Sequence, residues 1–382
     1  VANTITNVLP KLLAQGLMAL RQNTVMTRLI NTSYSALAAQ KGNVINVPIP
    51  SSITARDVTA AVAYAANVDS SPTVALVTLD FWKEAPFQMS DNDLVSADAG
   101  VLPMQASEAI KSLANAVDSY IIGKHVGFFG KVGTQGTTPF SASLNMASGA
   151  RKTLSKQLAP LDDRRAVIDP DAEDNLLLNA QILQADQSGS TEAIVNGSIM
   201  RKLGFDWYMD QNITSYTPGT AWSNPASWTF DGSNQAGVST CAVVYTGSGT
   251  VKIGDIFALT SGGLGYVVTA VATMVTATTN SISFYPPLRV TVATAGTLVV
   301  GGSTAYIANL TFHRDAMAWA SRPLQGASIE GLGHTFQTAV DPISGIALRL
   351  ELSRQYKQTT FSFDILGGAN VIRPEYGCKI AG

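Results

Sequence analysis

The sequence predicts an α+β protein interrupted by an inserted, antiparallel β-barrel-like domain. Three observations predict it. Two stretches in the first third carry apolar residues at helical spacing. The stretch 214–308 holds only four charged residues, Asp231, Lys252, Asp255 and Arg289, and is dense in Gly, Thr, Ser, Val and Ala. The run Leu348–Leu366 alternates apolar and polar residues over nearly its whole length, the pattern of strands with one buried face. A chain of 382 residues suggests about two or three domains.

Residues 1–40 open with Val8, Leu9, Leu12, Leu13, Leu17 and Leu20 on one helical stripe. Pro10 falls in the first turn, where its missing N–H costs little. Such a stripe suits a helix packed on its own domain, or an arm lying on a neighbour. KGNVINVPIP (Lys41–Pro50) and TVALVTLDFW (Thr73–Trp82) then alternate and predict two strands. Their connection, Ser51–Ser71, is far longer than an ordinary hairpin loop of two to five residues. We therefore expect long arms projecting from the body, exposed unless a partner covers them.

Residues 97–129 give the longest helical pattern. Ile110, Leu113, Ala114, Val117, Tyr120 and Ile121 form one face, and Glu108, Lys111, Ser112, Asn115 and Asp118 the polar one. Gly127 and Gly130 end it, and 131–145 reads as a loop. A short helix is expected over Arg151–Leu158 and a strand over Arg165–Ile168. In DPDAED, Asp169 caps a helix, Pro170 takes its first position, and Asp171 and Glu173 face the positive end of its dipole. Ser190–Leu203 predicts a further helix stopping at Gly204, and Phe205–Met209 a strand.

Within 214–308, strands are expected at Cys241–Tyr245, Asp255–Leu259, Tyr266–Val271, Ser281–Tyr285, Val290–Ala293 and Thr297–Val300. Turn signals such as GSG, SGGLG, PP and VGG separate them, which argues a barrel or sandwich. Leu310–Ala320 is ambiguous. DPISG (Asp341–Gly345) is the turn before Leu348–Leu366, a hairpin or one long bent strand.

Composition excludes several classes. Hydrophobic residues make up 46% and charged residues 14%, too apolar for a disordered chain. With 25 basic and 27 acidic residues the net charge is −2, unlike a strongly basic nucleic-acid binder. Few charges also leave a small solubility margin for a free monomer, so much of the surface is expected to lie against partners. No run of 18 uncharged apolar residues spans a membrane, and no secretory signal is expected. Cys241 and Cys378 cannot build a disulfide framework or a zinc site; one bridge is open, and reduced thiols are the preferred reading.

Catalytic motifs are missing. HVGFFGK (His125–Lys131) has His where a phosphate loop needs its first Gly, and Val132 where it needs Ser or Thr. His125, His313 and His334 have no second His or Cys at ligand spacing, and so few histidines weaken any acid–base proposal. Asp169, Asp171, Glu173 and Asp174 could hold Mg²⁺ or Ca²⁺, but helix capping accounts for them. LDDRR (Leu161–Arg165) reads as a turn with internal charge pairing. Neither cysteine has a neighbouring base to lower its pKa. No catalytic, cofactor-binding or metal residue is assigned, and no cofactor is expected.

The order of these pieces resembles the tailed-phage major capsid proteins of the Hong Kong 97-type fold, especially the coat protein of the short-tailed Salmonella phage (P-22 type), which carries an extra inserted β domain. KGNVINVPIPSSITARDV and TLDFWKEAPFQMSDNDL resemble the two sides of the E-loop. EAIKSLANAVDSYIIGKH resembles the spine helix, and RRAVIDPDAEDNLL with GSTEAIVNGSIMRKLGFDWYMDQNI the entry to the A domain. KIGDIFAL resembles a strand of the extra domain, and RLELSRQYKQTTFSFDILGGANVIRPEYGCKI the P-domain strands.

The resemblance implies an N-arm at Val1–Gln40 and an E-loop at Lys41–Asn92. It implies a P domain from Ala97–Gly130 with 131–165 and 335–382, an A domain at 166–213 and 309–334, and the insertion at 214–308. Gly130–Gly136 and Gly326–Gly333 would be hinges. It further implies a non-enzymatic protein that self-assembles in hexamers and pentamers into an icosahedral shell around double-stranded DNA. Scaffolding protein acting in trans, a portal protein at one vertex, a decoration protein and non-specific DNA contact follow as partners, with assembly in the bacterial cytoplasm and no membrane. The residues leave three alternatives: an encapsulin-like compartment, a hydrolase with an accessory β domain using Asp231 and Asp255, and a secreted adhesin.

Overall fold

The computed structural model describes residues 9–34, 42–51, 53, 55, 57, 71–92, 101–141, 143–184, 186, 189, 191–223, 228–259, 263–276, 278–324 and 334–382. The tip of the expected E-loop and the Gly326–Gly333 hinge lie outside the described residues.

In chain order, helix α1 (Leu9–Asn23) and the short α2 (Met26–Leu29) precede strands β1 (Val44–Ile49), β2 (Thr73–Thr78) and β3 (Phe81–Ser90). The long helix α3 (Val101–Gly123) passes through a 3₁₀ turn, Lys124–Gly127, into β4 (Gly130–Gly133). Then come α4 (Asn145–Lys156), β5 (Arg164–Ile168), α5 (Pro170–Leu177), α6 (Ala180–Leu183), α7 (Glu192–Asn196), β6 (Arg201–Lys202), β7 (Phe205–Met209) and β8 (Ser215–Tyr216). The insertion supplies β9 (Trp228–Phe230), β10 (Thr240–Tyr245), β11 (Gly249–Val251), β12 (Ile256–Ala258), β13 (Tyr266–Val268), β14 (Ala272–Met274), β15 (Thr279–Tyr285) and β16 (Val299–Val300). The chain closes with β17 (Tyr306–His313), β18 (Met317–Ser321), β19 (His334–Val340), β20 (Ala347–Gln355), β21 (Gln358–Val371) and β22 (Gly377–Ala381).

Two sheets make the body. One runs β4-β22-β17-β5-β7-β6 with β8 also on β17; β22–β4 and β5–β7 are parallel and the other pairs antiparallel. The other runs β18-β21-β20-β19 with β3 also on β21, and is antiparallel throughout. At 1.5 Å per residue α3 spans about 34 Å. Its apolar face (Ile110, Leu113, Ala114, Val117, Ile121) joins Leu348, Phe363 and Ile365 of one sheet with Leu310 and Phe312 of the other in a single core. Leu12, Leu13 and Leu20 of α1 enter the same core. Of the two readings of the N-terminal stripe, α1 thus takes the first: it packs on its own body.

The insertion has a separate core. Its sheet runs β16-β12-β13-β15-β10-β9. Beyond β9, the Phe230 N–H donates to Gly296 O at 2.9 Å and the Ala295 N–H to Phe230 O at 3.0 Å, and Thr229 bridges Thr297. Residues 295–297 lead directly into β16, so the two ends of the sheet meet and the barrel closes, which removes exposed edges. Inside, Trp222 stacks on Trp228 and Trp228 on Tyr245, each pair with centroids 4.6 Å apart.

Several expected elements differ. Thr73–Trp82 is not one strand: the chain leaves β2 at Thr78 and re-enters the body sheet as β3. The reason is Gly368, where any Cβ would collide with the Thr78 carbonyl, so the β2–β3 link lies directly on β21. The Ser190–Leu203 helix ends at Gly197, whose φ of +64° caps α7 in the left-handed region. The Arg151–Leu158 helix starts six residues earlier, at Asn145, and ends at Lys156. Val290–Ala293 is no strand, though Val292 bridges Asn234. Leu310–Ala320 resolves into β17 and β18, and Leu348–Leu366 into the β20–β21 hairpin.

Candidate functional site

Two features can carry function: the surfaces the body leaves open to neighbours, and the seam that seats the barrel on the body.

The first surface is the β1–β2 arm, paired from Val44↔Thr78 to Ile49↔Thr73. Alternation puts Ile45, Val47 and Val77 on the inner face, where they pack with Leu79 against Ala318, Ala320 and Ile372. Val44, Val74 and Leu76 point outward and are about half exposed. At the root, Leu79 N–H donates to Asn43 O at 2.8 Å, Asn370 Nδ2 to Leu76 O at 2.7 Å, and Arg322 Nη1 to Gly42 O at 2.9 Å. The root of the arm thus rests on the body, and within the expected E-loop of 41–92 the stretch 81–90 pairs with β21 in the body sheet. A second surface follows α5, where Leu178, Ile194, Val195 and Met200 are exposed.

The seam is polar and buried. Lys131 and Lys379 are directly paired on the parallel strands β4 and β22. Lys379 is fully buried and donates to Gly254 O at 3.0 Å. Burial holds its amine down at about 7, with repulsion from Lys131 adding to the effect. Lys131 lies over the Tyr306 ring at 5.0 Å, and burial lowers its amine to about 8. Asp255 answers from the barrel side. It accepts from Tyr216 Oη at 2.8 Å, Gly219 N at 3.1 Å, Trp222 Nε1 at 2.6 Å and Lys252 N at 2.7 Å. Tyr216 also donates to Ile253 O at 2.8 Å, and burial with the Asp255 charge raises its pKa. His125 packs edge-on to Tyr216, centroids 5.5 Å apart, and burial beside Lys379 lowers it to about 3. Backbones meet closely here: a Cβ on Gly254 would strike Val126, and one on Gly265 the Phe129 carbonyl.

The residues singled out by sequence take structural places. Asp169 Oδ2 accepts from Ala172 N at 3.4 Å and caps α5, with Asp171 and Glu173 in its first turn. Asp163 pairs with Arg165 at 2.9 Å, while Arg164 turns inward and donates to the Pro160 and Ala159 carbonyls at 2.6 and 2.8 Å. His313 Nδ1 accepts from Asp315 N at 3.2 Å, and His334 begins β19. Cys241 and Cys378 are free and buried, and burial pushes both thiols up to about 12. Asp231 accepts from the Thr279 hydroxyl on the barrel, while Asp255 is taken up in the seam. Among the described residues, no group of three or more His, Cys, Asp or Glu could hold a metal ion, and no helix is long and apolar enough to cross a membrane.

Sequence reasoning missed the seam, because it gathers residues from 125–131, 216–222, 252–256 and 379. It also placed Asp118 on the solvent face of α3. Asp118 is fully buried there and accepts from Val25 N at 2.8 Å and Met26 N at 3.1 Å, where α2 begins.

No family model matches the sequence, and no curated protein matches it. Solved structures do. One, from Mycobacterium phage Che8, aligns with a TM-score of 0.54 at 16% identity, covering 94% of this chain and 90% of that one. Another, the capsid structure of the Cyanophage P-SCSP1u, gives a TM-score of 0.51 at 12% identity over 94% and 88%. Over most of its length the chain therefore has a capsid fold of the Hong Kong 97 type.

Proposed function

We propose that this chain is a major capsid protein, self-assembling into the icosahedral shell that encloses a tailed phage's double-stranded DNA. One observation carries the reading beyond the fold: the β1–β2 arm holds Val44, Val74 and Leu76 about half exposed on its outer face. A row of apolar side chains on an exposed strand pair is a surface for a partner. The arm and the apolar residues near α5 are where neighbours would pack.

In this reading 41–80 acts as the E-loop on an adjacent copy, α3 is the spine helix, and 166–213 with 309–334 is the A domain. The same surfaces meet repeatedly around hexamers and pentamers, so many individually modest contacts close one symmetric object. Scaffolding protein in trans, portal protein, a decoration protein and packaged DNA are the partners this role calls for. The closed barrel, with its own core and its place between β8 and β17, supports the finer assignment to coats of the P-22 type. The role is structural, in the virion and without catalysis; the seam groups serve to seat the barrel.

Deleting Ala55–Asp69 tests it. The expected product is a soluble subunit that no longer closes shells under the electron microscope. Normal particles from that deletion refute the role given to the arm.

A further inference from the structure

The barrel is fastened to the body by buried nitrogens that cannot all carry charge. Lys379 of β22 is fully buried and donates across the seam to Gly254 O of the barrel at 3.0 Å. Lys131 is its direct partner on the parallel strand β4, so the two side chains leave the sheet on the same face. Asp255 faces them from the barrel and already accepts from Tyr216, Gly219, Trp222 and Lys252. The other partners of the pair are neutral. Lys131 lies over the Tyr306 ring, and Gln135, with its carboxamide oxygen turned inward, accepts from its Nζ at 2.8 Å. Lys379 lies over the Tyr216 ring at 5.7 Å, and the neighbouring Cys378 is held as a thiol by its burial. Lys252 turns its own amine to Thr217 O.

His125 completes the set from the body side. Its Nδ1 faces Ile122 O at 3.0 Å, and its buried Nε2 has no partner among the described residues. A proton added at Nε2 would make a buried N–H without an acceptor. Space does not relieve these charges. The cavity between Lys131, Tyr216, Asp255 and Tyr306 is about 10 Å³, room for about one water. Gly254 and Gly265 leave no room for a Cβ against Val126 and the Phe129 carbonyl, so barrel and body meet without slack. Holding two ammoniums and an imidazolium in this seam is costly, and parting the barrel from the body returns them to water. The barrel can part as a unit, because its core shares no residue with that of the body.

We propose that the seam is a proton-operated latch: the barrel seats on the body while Lys379, Lys131 and His125 hold few protons, and unseats with its own core intact as they take them up. The direction follows from linkage. Seated, Lys379 titrates at about 7 and Lys131 at about 8, against an ordinary 10.5. The unseated state therefore binds more protons, and seating weakens as pH falls from 10.5 toward 7. His125, at about 3 against an ordinary 6.5, carries the same trend below 6.5. The latch rests on the seam alone and stands whether or not the chain builds shells.

The test is competitive acetylation of the full chain with trace acetic anhydride, read by mass spectrometry. Lys379 reacts only when the seam opens, and the exposed Lys152 of the same chain corrects for the effect of pH on amine reactivity. The Lys379-to-Lys152 labelling ratio rises at least about tenfold between pH of about 8.5 and about 6. Cys241, buried inside the barrel core, stays closed to iodoacetamide over the same range. Lys131→Met removes one proton site and the repulsion on Lys379, so its rise is at least about threefold smaller. The wild-type series needs no variant and decides the matter if Lys131→Met does not fold. A ratio that is constant or grows with pH, Cys241 labelling in step with Lys379, or an unchanged response in Lys131→Met each overturns the proposal.

Discussion

Replacing Asp255 by Ala removes the group that ties the barrel to its own N-terminal lead and to the body. Three donors lose their acceptor: Gly219 N and Trp222 Nε1 (2.6 Å), both buried, and the part-buried Lys252 N at 2.7 Å. Tyr216 Oη loses one of two acceptors and keeps Ile253 O. An orphaned buried donor costs about 1–3 kcal/mol. Allowing for water entering the space, the sum is about 3–6 kcal/mol, a large part of the 5–15 kcal/mol that stabilises a typical domain. The Asn variant keeps one acceptor oxygen but turns an NH₂ toward the donors, so it loses roughly half as much. Urea unfolding of the purified subunit measures this, with tryptophan fluorescence reporting Trp222 and Trp228 inside the barrel. A loss under about 1 kcal/mol for Asp255→Ala refutes the view of this carboxylate as the seam's anchor.

Three further outcomes follow from other contacts. Arg349 holds Asp364 through two bonds, Nε to Oδ1 at 2.9 Å and Nη2 to Oδ2 at 2.6 Å, and Asp364 is 4% exposed. Arg349→Met leaves that carboxylate, among the described residues, with the Trp82 indole at 3.2 Å, so unfolding free energy falls by about 3–5 kcal/mol in urea titration. Asp118 is pushed up to about 7, chiefly by burial, so its contribution is full below its unfolded value of 3.8 and lost as pH rises through 7. Wild-type stability therefore declines across that window relative to Asp118→Asn, and parallel pH profiles contradict the assignment. Gly368→Ala forces the Thr78 carbonyl off β21, which dislodges the root of the arm and shows as fast hydrogen exchange across β1 and β2.

What the sequence made legible was local. Apolar residues at helical spacing announced α1 and α3, Asp169-Pro170 announced the start of α5, and the loss of charge after 213 marked the barrel. The errors have physical causes. Gly197 and Gly204 both offer a left-handed stop, and periodicity cannot say which is used; the structure takes the first. Strands of three residues, such as Trp228–Phe230 and Gly249–Val251, are too short to show alternation. Asp118 looked solvated because only the fold reveals that α2 begins on it. The pairing of Lys131 with Lys379, and the approach of Asp255 to both, joins residues more than a hundred positions apart, which no local pattern encodes.

Electron microscopy of the purified full-length chain, alongside its elution on size exclusion, tests the account most directly. The account predicts closed, uniform shells built of five- and six-fold rings. A protein that stays monomeric and monodisperse under every assembly condition, with scaffold supplied, contradicts it.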